Sequence, residues 1–148
     1  MLTKYIHKDL IIPELKSTTK SEVLMELLGP LHKKYPQLNI KHIYNILMER
    51  ERLGSTGIGD GVAIPHGKLE NLSNIVTIVG RSFIGVDFDS LDKKPCYIFF
   101  LVLAPDNVAG LHLKLLAHIS RLLKSAEFRK SFMEAKGVEG IWDLLNGS

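Results

Sequence analysis

The chain has 148 residues, 45% of them hydrophobic and 24% charged, with a formal charge of +3. These values describe one ordinary globular domain, so residues 1–148 are read as a single unit without repeats, linkers or low-complexity tracts. They exclude a disulfide scaffold, because Cys96 has no partner cysteine. They also exclude a membrane span, because the longest apolar run, 97–104, is far below the ~20 residues a bilayer requires. Lys4, Lys8, Asp9 and Glu14 interrupt the N-terminal apolar residues, so no signal-peptide core is expected and the expected compartment is the cytoplasm. Basic and acidic residues are interleaved. The one compact basic cluster, His32-Lys33-Lys34, lacks the aromatic neighbours of a nucleic-acid surface.

In chain order, Tyr5 to Leu15 reads as a strand that Pro13 and a polar stretch bring to an end. Thr19-Lys20-Ser21-Glu22 is a capping box. Behind it Val23, Leu24, Leu27, Leu28 and Leu31 repeat at helical spacing, although Gly29-Pro30 is expected to kink or divide that helix. A second helix begins after Asn39, buries Ile40, Ile43, Ile46 and Leu47, and stops at Gly54. Residues 55–61 form a glycine-rich loop, 62–64 a short extended piece ended by Pro65, and 75–81 a strand. The apolar run from Cys96 to Leu103 suits a central strand buried on both faces. Leu115, Leu116, Ile119, Leu122 and Leu123 mark a helix with His112 on the same side. Ser125 caps another helix holding Phe128, Phe132 and Met133, with Gly137 as its stop, and residues around Ile141-Trp142 make a last short helix. A strand, two helices, several strands and then helices predict a three-layer α/β/α sandwich around a small mixed sheet.

The chemistry concentrates in the stretch from Arg50 to Gly67. Gly54, Gly57, Gly59 and Gly61 permit positive φ and close backbone approach, and such a loop can aim amides at an anion. It is not a Walker A loop, because Asp60-Gly61 stands where Lys-Ser/Thr is required. It is not a dinucleotide fingerprint, because it follows a helix rather than a strand. His66, between Pro65 and Gly67, supplies a nucleophile. A neutral imidazole can attack phosphorus and later leave, which suits reversible phosphoryl transfer.

The run Gly-Ser-Thr-Gly-Ile-Gly-Asp-Gly-Val-Ala-Ile-Pro-His-Gly-Lys, 54–68, closely resembles the active-site signature of the fructose/mannitol-type IIA components of the bacterial phosphoenolpyruvate-dependent phosphotransferase system, most nearly the nitrogen-regulatory branch. Residues 85–89 and 112–116 match the same pattern. The resemblance implies that His66 is the phosphorylated residue, that an HPr-like phosphohistidine protein is the donor, and that no metal or organic cofactor takes part. It also implies that the acceptor is a regulatory target protein or a IIB domain. By motif position Arg50 is the family's arginine near the active site and His112 its second histidine. Guanidinium is the natural partner of a phosphoryl group. His112, on the first turn of its helix, can donate to a phosphoryl oxygen, with Thr56 and the amides of Gly57 and Gly59 as further phosphoryl-binding groups.

Plainer readings stand beside these. Arg50 lies in a Glu-Arg-Glu-Arg run of the kind that usually faces solvent. His112 and His118 lack the i, i+4 spacing of a metal pair, and Asp87, Asp89 and Asp92 lack the glycine and glutamate of an EF-hand. Asp60 can orient a ring or cap a loop amide. Residues 106–111, commonly acidic in the family, are expected to form a loop at the rim of the site. Three functions compete: a regulatory IIA protein, a sugar- or polyol-transport IIA protein, and a binding module that keeps the fold without the chemistry.

Overall fold

A computed structural model describes residues 2–147. After a 3₁₀ turn at Leu2–Tyr5, the chain forms β1 (Ile6–Ile12), α1 (Lys20–Lys34) and α2 (Ile40–Arg52). Four strands follow: β2 (Gly57–Gly59), β3 (Val62–Ala63), β4 (His66–Leu69) and β5 (Val76–Val86). Then come β6 (Cys96–Pro105), a 3₁₀ turn at Asp106–Val108, α3 (Ala109–Lys124), α4 (Ala126–Glu134) and α5 (Gly137–Asn146).

The six strands make one mixed sheet in the order β1-β5-β6-β3-β2, with β4 also pairing to β6 beyond β3. β1 runs parallel to β5, β5 antiparallel to β6, and both β3 and β4 parallel to β6. β6 is the central strand, and its alternation divides the core. Phe99, Leu101 and Leu103 face one cluster with α1 and α2, while Ile98, Phe100 and Val102 face the other with α3, α4 and α5. The expected α/β/α sandwich is therefore the observed architecture.

Helices α1, α2 and α4 start where a side chain supplies a missing acceptor. Thr19 Oγ1 accepts from the Glu22 amide at 3.4 Å, Asn39 Oδ1 from the His42 amide at 3.1 Å, and Ser125 Oγ from the Phe128 amide at 3.1 Å. In the capping box Glu22 Oε1 receives the Thr19 hydroxyl at 3.0 Å. The expected break at Gly29-Pro30 does not occur, and α1 runs through Pro30. Val23, Leu24, Leu27, Leu28 and Leu31 are fully buried, and burial of each contributes about 2 kcal/mol. That sum exceeds the ~3 kcal/mol cost of one proline in a helix interior.

Three other expectations are corrected. The first strand ends at Ile12 and is preceded by a 3₁₀ turn. Gly137 does not stop α4, which ends at Glu134, but opens α5. Residues 106–111 are helical rather than a loop, as a 3₁₀ turn leading directly into α3. Arg81, buried in β5, was not singled out from the sequence. It donates to the carbonyls of Pro13, Phe132 and Ala135 at 3.0, 2.9 and 2.7 Å, satisfying the C-terminal end of α4 from within the sheet.

Candidate active site

The stretch expected to be a loop is largely a β-hairpin. β2 pairs antiparallel with β3, and Gly59 faces Val62 across the turn Asp60-Gly61. Both turn residues have positive φ, 57° at Asp60 and 75° at Gly61, as a two-residue type I′ hairpin turn requires. Asp60 is therefore accounted for by turn geometry, in which Asn and Asp are the tolerated side-chain residues. Gly57 is explained by close approach, since a Cβ there would lie 3.0 Å from Ser90 Cα. Its amide donates to Ser55 Oγ at 3.1 Å, and its carbonyl accepts from the Leu91 amide at 2.9 Å.

His66 does not end the short strand β3. It opens β4, paired with Val102 of the central strand. Its neighbours hold it on both sides: the Val102 amide donates to the Pro65 carbonyl at 2.9 Å, and His66 Nδ1 lies 2.9 Å from the Ile64 carbonyl. A carbonyl only accepts, so Nδ1 carries the proton and Nε2 keeps its lone pair. Burial lowers the His66 pKa below 6.5. The hydrogen bond to Ile64 opposes that shift, and the Arg50 charge adds to it.

The cleft beside His66 measures about 200 Å³. Arg50, Ser55, Thr56 and Ile58 line it from the end of α2 and the hairpin, Ile64 and His66 from the following segment, and Leu116 and Ser120 from α3. Arg50 Nη1 donates to the Gly54 carbonyl at 2.9 Å, which folds the guanidinium back over the turn after α2. His112 is buried against His66, with ring centroids 5.9 Å apart and planes at 78°. Its pKa is lowered by burial and by the charges of His66 and Lys68. Its Nε2 is shut off from solvent and has no partner among the described residues. Of the sequence candidates, Arg50, Thr56, His66 and His112 come together here, while Gly57 and Gly59 lie in β2 and do not line the cleft.

Glu51 and Lys20 were not legible as site residues. Glu51 is buried on the inner side of α2, where Oε1 accepts from the Thr56 amide at 3.1 Å and Oε2 from the Thr56 hydroxyl. Lys20, at the start of α1, pairs with Glu51 at 3.0 Å. A charged run on a helix gives no signal that one member turns inward. The buried Thr five residues later is the partner that reveals it. Among the described residues no group of three or more His, Cys, Asp or Glu is placed to hold a metal ion, and no helix is long and apolar enough to cross a membrane.

Residues 4–148 match the family model of the phosphoenolpyruvate-dependent sugar phosphotransferase system EIIA 2. The chain belongs to this EIIA type-2 family. It is 36% identical over 144 residues to the nitrogen regulatory protein of Bradyrhizobium diazoefficiens, covering 97% of this chain and 94% of that one. It is also 36% identical over 146 residues to the fructose-specific EIIABC component of Bacillus subtilis, corresponding to 23% of that longer protein. The crystal structure of nitrogen regulatory protein IIA-Ntr from Neisseria meningitidis superposes with a TM-score of 0.90 at 28% identity, covering 97% of this chain and 98% of that one. The mannitol IIA in the Escherichia coli complex with phosphorylated mannitol IIB shares the fold at a TM-score of 0.77 and 19% identity, covering 95% of this chain and 96% of that one. EIIA type-2 proteins are phosphotransferase-system components, and the cleft described above is this member's candidate phosphoryl-transfer site.

Proposed function

We propose that this EIIA protein carries a phosphoryl group on His66 Nε2, taking it from the phosphohistidine of an HPr-like carrier and passing it on. One observation carries the reading: Nδ1 is committed to the Ile64 carbonyl, so the opposite nitrogen presents a lone pair. In the forward step the His66 Nε2–P bond forms as the donor's P–N bond breaks and the donor imidazole leaves with the bonding pair. The proton on His66 Nδ1 stays in place. The phosphorylated ring is then a cation stabilised by the Ile64 carbonyl, and that charge makes His66 a good leaving group in the return step. Arg50 balances the phosphoryl dianion. The unpartnered Nε2 of His112 donates to a phosphoryl oxygen when protonated, and Thr56 contributes to the wall beside it. Gly57 and Gly59 serve by shaping the hairpin that carries Thr56. No residue here requires a metal or an organic cofactor in this scheme.

The acceptor is either a regulatory target, as the likeness to nitrogen regulatory proteins favours, or a IIB domain, as the equal 36% identity to the fructose EIIABC component favours. The regulatory role is our first reading, because a near-full-length relative supports it. Phosphorylation then places a dianionic phosphoryl group on a ring that keeps its Nδ1 proton, a net change of about −1 at the mouth of the cleft, enough to make or break an interface. Incubation with phosphoenolpyruvate, enzyme I and an HPr-type carrier should give an acid-labile mass increase that disappears in His66→Ala. No adduct on folded protein would leave the binding-module reading. Transfer onward to a purified IIB domain would decide for transport.

A further inference from the structure

We propose that Glu51 is a positioning residue, holding the His66 ring in its Nδ1-protonated form through Thr56 and Ile64; this rests on the reading of His66 as the nucleophile. The connection is continuous. Glu51 receives both the amide and the hydroxyl of Thr56, so that residue has no freedom to turn. The Thr56 carbonyl accepts from the Ile64 amide at 3.0 Å, and the Ile64 carbonyl faces His66 Nδ1 at 2.9 Å. Hydrogen bonds therefore join Glu51 to His66 through two residues, Thr56 and Ile64. Pro65 restricts the segment further, and its carbonyl is fixed by the central strand.

The carboxylate is itself locked. Lys20 Nζ lies 3.0 Å from Glu51 Oε1, and the two side chains are only 14% and 3% exposed. Arg50, the neighbouring cation, donates to Gly54. Three ionisable groups therefore act on His66: Arg50 and His112 beside it, and Glu51 behind it. Glu51 favours the charged ring and Arg50 opposes it. A tilt of the Ile64 carbonyl would release Nδ1 and let the proton move to Nε2, which would remove the attacking lone pair.

The tests are the His66 tautomer, by long-range ¹H–¹⁵N correlation, and the pH profile of phosphoryl uptake from a phosphorylated HPr-type carrier. Wild type should show the Nδ1–H form. Glu51→Gln keeps the shape and removes the charge. It should give mixed tautomers, a lower His66 titration midpoint and uptake slowed about tenfold or more, as loss of near-attack geometry does. Lys20→Met retains both bonds from Thr56 to Glu51 and should keep the native tautomer. A folded Glu51→Gln protein with native tautomer and native uptake would overturn the proposal, as would an Nε2–H ring in wild type. The tautomer needs no phosphoryl donor. Failure of wild type to accept phosphate would therefore overturn the phosphocarrier reading, while the ring still decides the role of Glu51.

Discussion

Glu51→Ala removes the carboxylate that Lys20 and Thr56 share, and the structure sets the cost. At 14% and 3% side-chain exposure the pair lies outside the range of surface ion pairs, which contribute ~0–1 kcal/mol. Removing one partner of a buried pair costs about 3–5 kcal/mol. The Thr56 amide and hydroxyl, left buried without an acceptor, add about 1–3 kcal/mol. The two effects overlap, since water entering the vacated space hydrates both Lys20 and Thr56, so the expected loss is about 4 kcal/mol at neutral pH. Lys20→Met should cost less, about 1–2 kcal/mol, because Glu51 keeps both Thr56 donors and the new side chain stays over the Phe88 ring that Lys20 Nζ approaches at 4.9 Å. The double variant should lose less than the sum of the two singles. Urea unfolding of all four proteins, with m-values held equal, gives the cycle. A Glu51→Ala loss under about 1 kcal/mol would refute the reasoning, because it would mean the pair behaves as a solvated one.

Three further outcomes follow from the same geometry. His66 and His112 both have folded pKa values below 6.5, so the unfolded chain binds more protons in the window between the folded and unfolded values. Their contribution is full above about pH 6.5 and is lost as pH falls from there through the folded values. Urea midpoints should therefore drop on acidification, and drop less in His66→Gln/His112→Gln. Gly67→Ala places a Cβ 2.9 Å from Ile46 Cγ2, pushing β4 off α2. It should destabilise by about 1–3 kcal/mol, with the loss partly recovered in Gly67→Ala/Ile46→Ala by the same urea assay. Asp60→Asn should leave stability within about 0.5 kcal/mol by thermal unfolding, since both residues suit the left-handed turn. Asp60→Val should lower the melting temperature, because a β-branched residue does not.

Most of the elements were legible because local signals and burial agree. Thr19, Asn39 and Ser125 announce helix starts that nothing in the fold opposes, and the unbroken apolar run from Cys96 marks the central strand because only a strand covered on both faces needs one. Gly29-Pro30 misled for the opposite reason: a local breaker was outweighed by five buried side chains on one face of α1, and that sum exists only after packing. The glycine-rich stretch read as a loop because glycines marked it, yet its pairing partner lies on the same short segment and closes a hairpin.

The residues alone were enough for the family, the candidate nucleophile and its candidate neighbours, because the run from Gly54 to Lys68 is a specific pattern and Arg50 and His112 fall at matching positions around it. Which nitrogen of His66 is free follows from the fold, because it depends on where the Ile64 carbonyl points. The tertiary structure alone joined Lys20 to Glu51, because residues on two different helices meet only when both pack on one sheet. It also separated the two roles within the signature: Thr56 faces the cleft, while Gly57 yields its side chain to make room for Ser90. Residue type sets which chemistry is available. Direction, burial and the neighbour on another element set which of it can be used.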